Sequence, residues 1–396
     1  MKLNIFKSSV FLVAAVIIVS MFFSCGGGSK EKKKGKKDSI VVKKETVCQV
    51  NEKLNDIALY LAGMKLNEKS ELFELTKNPS WVNYARNTDT SWSKLGRKRT
   101  RPMSAWAKRE MPDLIKDLNT LFYPFSGPDF LHANALFPYA KKMILFGMEP
   151  VGDIPDFKKL KKEEITPYFA YITKSLQDIT NLSFFKTINM SSDFSGSKVN
   201  GTLPVIMLFI ARAGYEIADI KPVMIDTTGQ FVDIPAFKDY KGEKSYNYGV
   251  KVKYINPKDS IGCRTLYYFS CNIIDQGVAA SKNTRMFLQK LDTGVVTFIK
   301  SASYLMHNTY FSAIRNTCFA KSKAILQDDS GIAYKYYEKN KWKINLYGVY
   351  TGPIDMFANR YEKDLKEAFT KEKVGTFTFK YGYGTNSNML LARKIK

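Results

Sequence analysis

Short apolar runs that stop at small or polar residues, with helix-period segments between them, constrain this 396-residue chain more than any other feature. Residues 121–125 end in Ser126-Gly127-Pro128-Asp129, and a second run, 143–147, follows a helix-compatible stretch over 130–137. Residues 265–269 lead into Ser270-Cys271-Asn272, 295–299 into Lys300-Ser301-Ala302-Ser303, and 324–327 into Asp328-Asp329-Ser330-Gly331. Runs this short read as strands buried on both faces. Alternation with helices then predicts an α/β fold: a mostly parallel twisted sheet with helices on both faces. Pro124 counts against a central place for the first strand. Near the C-terminus an antiparallel hairpin extension is expected from 334–337 and 342–347, followed by a helix over 361–369 and a last strand over 376–381.

Before the first strand the pattern is helical. Leu54, Ile57, Ala58, Leu61 and Met64 share one face, and Trp81, Trp92 and Trp106 serve as packing anchors. The expected organisation is a helical segment over 46–120 packed on an α/β domain over 121–396. Within that domain residues 151–200 are polar and helical, with Phe169, Ile172, Leu176 and Ile179 on one face. Residues 203–213 form an apolar helix started by Pro204, and 220–225 a strand.

The N-terminus carries an address. Lys2 and Lys7 precede an apolar stretch over 10–23, broken only by Ser20. A spanning helix needs about 20 apolar residues, so residues 1–24 have the length and flanks of a signal peptide. Phe22-Phe23-Ser24-Cys25 resembles the lipobox of bacterial lipoprotein precursors, departing from it at Phe22, where Leu is commoner. The resemblance implies cleavage before Cys25 and acylation of its thiol and new amine, with palmitate a fitting label. It implies a membrane partner through the N-terminal lipid and a place in a bacterial cell envelope, the outer membrane ahead of the inner. Several acyl chains, at about 0.8 kcal/mol per buried CH₂, anchor stably where one does not.

Residues 25–45 read as a lipidated, basic, flexible tether. Residues 30–45 hold eight Lys and three acids, so of the chain's net +24 only +5 lies there. Most of the basicity therefore belongs to the folded part. Export points away from nucleic acid. For Arg97-Lys98-Arg99-Thr100-Arg101 an acidic glycan, phosphate or lipid surface is the functional reading, and a solvated loop the plain one. At 45% hydrophobic and 25% charged content the chain is neither disordered throughout nor a multi-span membrane protein.

After cleavage Cys48, Cys263, Cys271 and Cys318 remain. An oxidising envelope allows two disulfides in three pairings, and buried free thiols are the default. Cys263 and Cys271 lie roughly 26 Å apart if extended, which disfavours that pair. No C-x-x-C occurs, so neither zinc nor a dithiol redox motif is indicated, and no cofactor is expected.

Ligands of open α/β sheets bind outside the carboxyl ends of strands. The polar segments there hold the candidate catalytic or ligand-binding residues: Ser126, Asp129, His132, Lys300, Ser303, His307, Asp328, Asp329 and Ser330. The two histidines of the chain, His132 and His307, both fall among them. Asp129 and His132, three apart, can pair on one helix face. Ser126 or Ser330 as nucleophile, His307 as base and Asp329 as orienting acid would make a hydrolase. Ser-Gly and Asp-Ser-Gly are also ordinary turn chemistry, and no G-x-S-x-G elbow occurs. Adjacent Asp328 and Asp329 suit a hard cation, but on a strand they point apart, so no metal site is assigned. H-E-x-x-H, G-x-G-x-x-G and the P-loop are absent.

Residues 123–130, 300–307 and 326–331 resemble segments of exported bacterial proteins of uncharacterised function, a likeness over about 70–396 that implies no activity. The leading expectation is a lipid-anchored module binding a small, acidic or glycan-like ligand at the strand edge. A lipid-anchored hydrolase at the same edge is the alternative, and a purely structural envelope component a third reading.

Overall fold

The structure, a computed structural model, describes residues 48–395 apart from 117, 183–198, 200, 238–246, 302 and 383–386, without the side chains of 162, 175 and 177–182. The signal peptide over 1–24, the 25–45 tether, Cys25 and the Ile179 side chain lie outside the described residues.

α1 (Glu52–Leu61) starts where the Asn51 side chain accepts from the Leu54 N–H at 3.1 Å. Residues 79–110 are helical throughout: α2 (Pro79–Leu95), a π-turn over Gly96–Thr100 and α3 (Arg101–Glu110). Pro102 has no N–H for the carbonyl four residues back, and the ladder widens just before it. The basic cluster expected as a solvated loop is therefore helical, with Arg99 buried. Trp81 and Trp106 are buried, and Trp106 meets the edges of Tyr347, Phe377 and Phe379. α4 (Pro112–Ile115) leads to the sheet.

β1 (Thr120–Pro124), α5 (Phe130–Leu136) and β2 (Lys142–Gly147) form the expected parallel unit. α6 (Lys162–Leu182) and α7 (Leu203–Arg212) follow, then β3 (Glu216–Ile225), β4 (Phe231–Asp233), β5 (Tyr248–Ile255) and β6 (Arg264–Ser270). α8 (Asp275–Ala280) and α9 (Lys282–Lys290) return to β7 (Val295–Ile299), and α10 (Ser312–Lys321) to β8 (Ser322–Gln327). β9 (Trp342–Gly348), α11 (Lys363–Lys371), β10 (Val374–Gly375) and β11 (Asn388–Lys394) complete the described chain.

The strands make one sheet in the order β10-β9-β11-β8-β7-β1-β2-β6-β5-β3-β4. β8, β7, β1, β2 and β6 are mutually parallel. β5, β3 and β4 are added antiparallel on one side, and β11 and β9 on the other. The sheet is thus mixed rather than mostly parallel, and its antiparallel parts flank the parallel core on both sides. The cause is connectivity: among the described residues no helix joins β3 to β4 or β5 to β6, and strands joined without a crossover pair antiparallel.

Three further expectations are corrected. Residues 334–337 are not a hairpin strand: Tyr334–Tyr336 is a 3-10 turn, and β9 pairs with β11 instead. Residues 376–381 make no ladder; Phe377, Phe379 and Tyr381 pack by their rings on one another and on Trp106 and Phe298. Pro124 does end a central strand. The β7 ladder on β1 stops at Phe122, so the missing N–H forfeits nothing on that side.

Side-chain alternation sorts the sheet into two cores. Leu121, Tyr123, Met143 and Leu145 face one core with residues of α1 to α7. Phe122, Ile144 and Phe146 face the other with residues of α8 to α11. The step from β1 to β2 carries its helix on the first face, while the steps from β6 to β7 and from β7 to β8 carry theirs on the second. Connections therefore diverge between β1 and β7, which makes that pair the topological switch point of the sheet.

The free-thiol default fails for two cysteines. Cys48 and Cys263 form a disulfide with their Cα atoms 5.5 Å apart, whereas Cys271 and Cys318 are buried thiols outside it.

Candidate functional site

The five parallel strands end at one edge, and the two non-glycine residues of positive φ among the described residues lie there: Phe125 at +81° after β1 and Tyr304 at +53° after β7. Such backbone costs of order 1–3 kcal/mol per residue and persists where its surroundings impose it. At the end of β2, a Cβ on Gly147 would stand 2.7 Å from the Tyr268 hydroxyl and even closer to the Glu149 carboxylate. Only glycine admits that packing.

Behind β1 the sequence-predicted Asp–His pair forms. Asp129 caps α5 by accepting from the His132 N–H at 3.0 Å, and its carboxylate meets His132 Nδ1 at 3.0 Å and the Tyr123 hydroxyl at 3.0 Å. Burial holds the imidazole below its ordinary pKa, against the pull of Asp129. The charge of Arg99, brought in by the π-turn, interacts with Asp129 and Tyr381. Ser126 lies beside them, its hydroxyl donating to the Gly127 and Phe146 carbonyls at 2.8 and 3.0 Å.

A second group joins the ends of β7 and β8. Lys300 Nζ is 2.8 Å from Asp328 Oδ2 and 3.9 Å from the centre of the Tyr381 ring. These side chains are 2% and 6% exposed, so the pair is buried. The other Asp328 oxygen accepts from the Ser330 N–H at 3.0 Å and from the Ser330 hydroxyl, which in turn accepts from the Ser301 N–H at 3.0 Å. Asp329, in the turn after β8, takes the Tyr304 hydroxyl at 2.8 Å and the Asn388 amide at 2.9 Å. Burial, with Asp328 adding to it, raises the Asp329 carboxyl to about 6.

His307 stands at the outer end of this group. Its Nε2 lies 3.0 Å from the Asp329 carbonyl and 3.6 Å from Glu362 Oε1. Burial lowers the imidazole to about 4 and raises the Glu362 carboxyl to about 8. A cavity of about 10 Å³ between Asp328, Asp329, Glu362 and Asn388 has room for one water.

Tyr381 links the two groups: Lys300 lies over its ring, and the His132 ring meets it edge-on at 5.5 Å. The Tyr381 hydroxyl and His132 Nε2 are buried without a hydrogen-bond partner among the described residues. Six other buried polar atoms, on Tyr60, Trp106, Tyr168, Tyr254 and Arg264, are unpaired in the same sense, so what marks these two is their place between β1 and β7.

Ser126, Asp129, His132, Lys300, His307, Asp328, Asp329 and Ser330 thus gather at the edge, whereas Ser303 is exposed. The serine triad is not assembled. Among the described residues no serine hydroxyl is hydrogen-bonded to a histidine; those of Ser126 and Ser330 bond carbonyls and Asp328, and His307 faces a carbonyl and Glu362. No group of three or more His, Cys, Asp or Glu there could hold a metal ion, and no helix is long and apolar enough to cross a membrane.

Sequence reasoning missed Tyr304, Glu362, Tyr381 and Asn388, which arrive through tertiary contacts; it singled out the basic run holding Arg99 but did not place it beside Asp129. It also missed an open cleft of about 790 Å³ between the start of α1, residues 69–72 and residues 155–159. Its rim alternates Glu52, Lys53, Asp56, Lys69, Glu71 and Lys158, with Ile57 and Phe157 beneath. Comparison with family models, curated proteins and solved structures found no match.

Proposed function

We propose that this chain is a lipid-anchored protein of a bacterial cell envelope whose α/β body binds a small, hydroxyl-rich, glycan-like ligand at the carboxyl edge of its parallel strands. The observation that carries the reading is the buried network around Tyr381, with a buried Lys300–Asp328 pair and two unpartnered polar atoms at the switch point. Burying a charge pair costs stability unless it is fully hydrogen-bonded, and strained backbone on both connections adds to that cost. A site where binding matters accounts for retaining both.

The composition of the edge selects between the ligands the sequence allowed. With Glu362 protonated below about 8, Asp129, Asp328 and Asp329 still outnumber Lys300 and Arg99, so an anion would meet repulsion. A neutral polyol can donate to the carboxylates and the Tyr304 hydroxyl oxygen and accept from Lys300, and its apolar ring face can pack on tyrosine. Anchoring through Cys25, export and the membrane partner rest on the lipobox resemblance, and the Cys48–Cys263 disulfide fits an oxidising compartment.

Calorimetric titration with neutral trisaccharides, a uronic-acid trisaccharide and inorganic phosphate tests this reading. Saturable binding of a neutral sugar, weakened at least tenfold by Asp329→Asn, is expected. Binding of phosphate or the acidic sugar with no neutral sugar bound would overturn it, as would silence from every neutral sugar.

A further inference from the structure

The amino edge of the sheet carries a strip of exposed lysines. The amino edge is formed by the turns entering the parallel strands and β9 and those leaving β5 and β11. Lys141, Lys258, Lys290, Lys323, Lys341 and Lys394, all exposed, lie in or beside the turns along it. With strands about 4.8 Å apart, the strip from β9 to β5 is roughly 34 Å long. Asp259, Asp292 and Glu338 lie among these lysines, and each is in an ion pair with a basic residue of the same edge. The carboxyl edge mixes charges: Asp129, Glu149, Asp275, Asp328, Asp329 and Glu362 stand there with Arg99, Lys300, Lys335 and Arg360.

The disulfide adds a direction. Cys263 immediately precedes β6, so Cys48 is fastened at the amino edge, and the Asn51 N–H bonds the Ile217 carbonyl at the start of β3, on the same edge. The 23 residues from Cys25 to Cys48 reach at most about 80 Å, too loose a leash to set orientation by itself.

We propose that the basic amino edge is a docking surface for an anionic lipid bilayer, which holds the body edge-down and turns the carboxyl-edge site away from the membrane. The presence of a membrane rests on the lipoprotein reading; the surface itself does not. Charge complementarity selects this occupant, because each lysine near an anionic surface strengthens binding about fivefold. The attraction falls away within a Debye length, about 10 Å at 0.1 M salt, so the whole strip must lie flat to contribute.

The test uses the chain from residue 25 onward with Cys25→Ser, which carries no acyl group, and co-sedimentation with vesicles. Vesicles of 30% phosphatidylglycerol in phosphatidylcholine are compared with pure phosphatidylcholine at 50 and 300 mM NaCl. The parent should bind only the anionic vesicles, and less at the higher salt. Joint Lys141→Gln, Lys290→Gln, Lys323→Gln and Lys341→Gln should weaken binding several-hundred-fold. The same charge loss in the tether, at Lys32, Lys33, Lys34 and Lys36, should weaken it less than tenfold. Both variants should melt with the parent, since these side chains are exposed or lie in the tether.

Edge-variant binding within threefold of the parent would overturn the proposal. So would equal binding to neutral vesicles, or retention on heparin without vesicle binding. Because no protein in this test is acylated, its failure is separable from that of the anchor, which acyl labelling of Cys25 reads on its own.

Discussion

Glu362 makes stability depend on pH in a direction opposite to that of most carboxylates. Burial raises its folded pKa to about 8 from the 4.5 of an ordinary glutamate, with Asp329 and Asp364 adding to the rise and Lys335 opposing it. His307, 3.6 Å away, is neutral in the fold above about 4. Below pH 4.5 the folded and unfolded forms both hold the Glu362 proton, and its contribution is fully present. As pH rises, the unfolded chain loses that proton first, and stability declines until the folded group also ionises near 8. His307 acts the other way, its contribution present above about 6.5 and lost as pH falls through 4, so it offsets Glu362 only at lower pH. Between pH 6.5 and 8 the Glu362 loss is about 1.5 kcal/mol, at 1.36 kcal/mol per unit and less close to the folded pKa. Glu362→Gln imitates the protonated acid and still accepts from the Tyr334 N–H. Urea unfolding at half-unit steps should show the parent losing about 1.5 kcal/mol more than the variant across this window, and the variant the more stable at pH 8. Parallel stability curves would refute the burial argument for this carboxylate.

Three other outcomes follow from the same physical account. Lys300→Met leaves Asp328 charged and buried, and should cost about 3–5 kcal/mol in urea unfolding; the double variant with Asp328→Asn should recover part of that, and a cost below 1 kcal/mol would contradict the buried pair. Cys48→Ser with Cys263→Ser opens a crosslink spanning 215 residues and should cost about 4 kcal/mol, read as a lower urea midpoint without reductant, whereas Cys271→Ala should not change the response to reductant. Cys25→Ser should abolish palmitate labelling and move the protein from the membrane to the soluble fraction; label retained on the variant would remove the lipoprotein claim.

Where the chain spoke through local pattern, it was legible. The strand–helix–strand unit from β1 to β2, the strand β7 and the helix α10 follow from apolar runs, turn residues and 3.6-residue spacing. The gathering of Asp129, Lys300 and Asp328 follows from parallel strands having their carboxyl ends on one side. β11 escaped notice because Met389, Leu390, Leu391 and Ala392 prefer helices, and pairing with β8 and β9 overrides that preference. Residues 376–381 misled in the opposite sense: alternating Phe377, Phe379 and Tyr381 resembles a strand, yet the alternation serves ring packing. Tyr381 and Glu362 come to the site from far along the chain, and no spacing rule brings a residue at 381 to a lysine at 300. The disulfide was beyond sequence reasoning for the same reason, since only the fold sets Cys48 beside Cys263.

The central claim is that a ligand is held where the connections after β1, β7 and β8 meet. Amide chemical-shift mapping during titration with the tightest-binding neutral sugar tests it most directly. The account predicts that the saturable shifts concentrate in residues 125–132, 300–308 and 328–331, with the Asp329→Asn protein showing them only at much higher sugar concentration. Shifts centred instead on residues 51–57 and 155–159, around the large cleft, would contradict it and move the binding site to the other end of the molecule's first core.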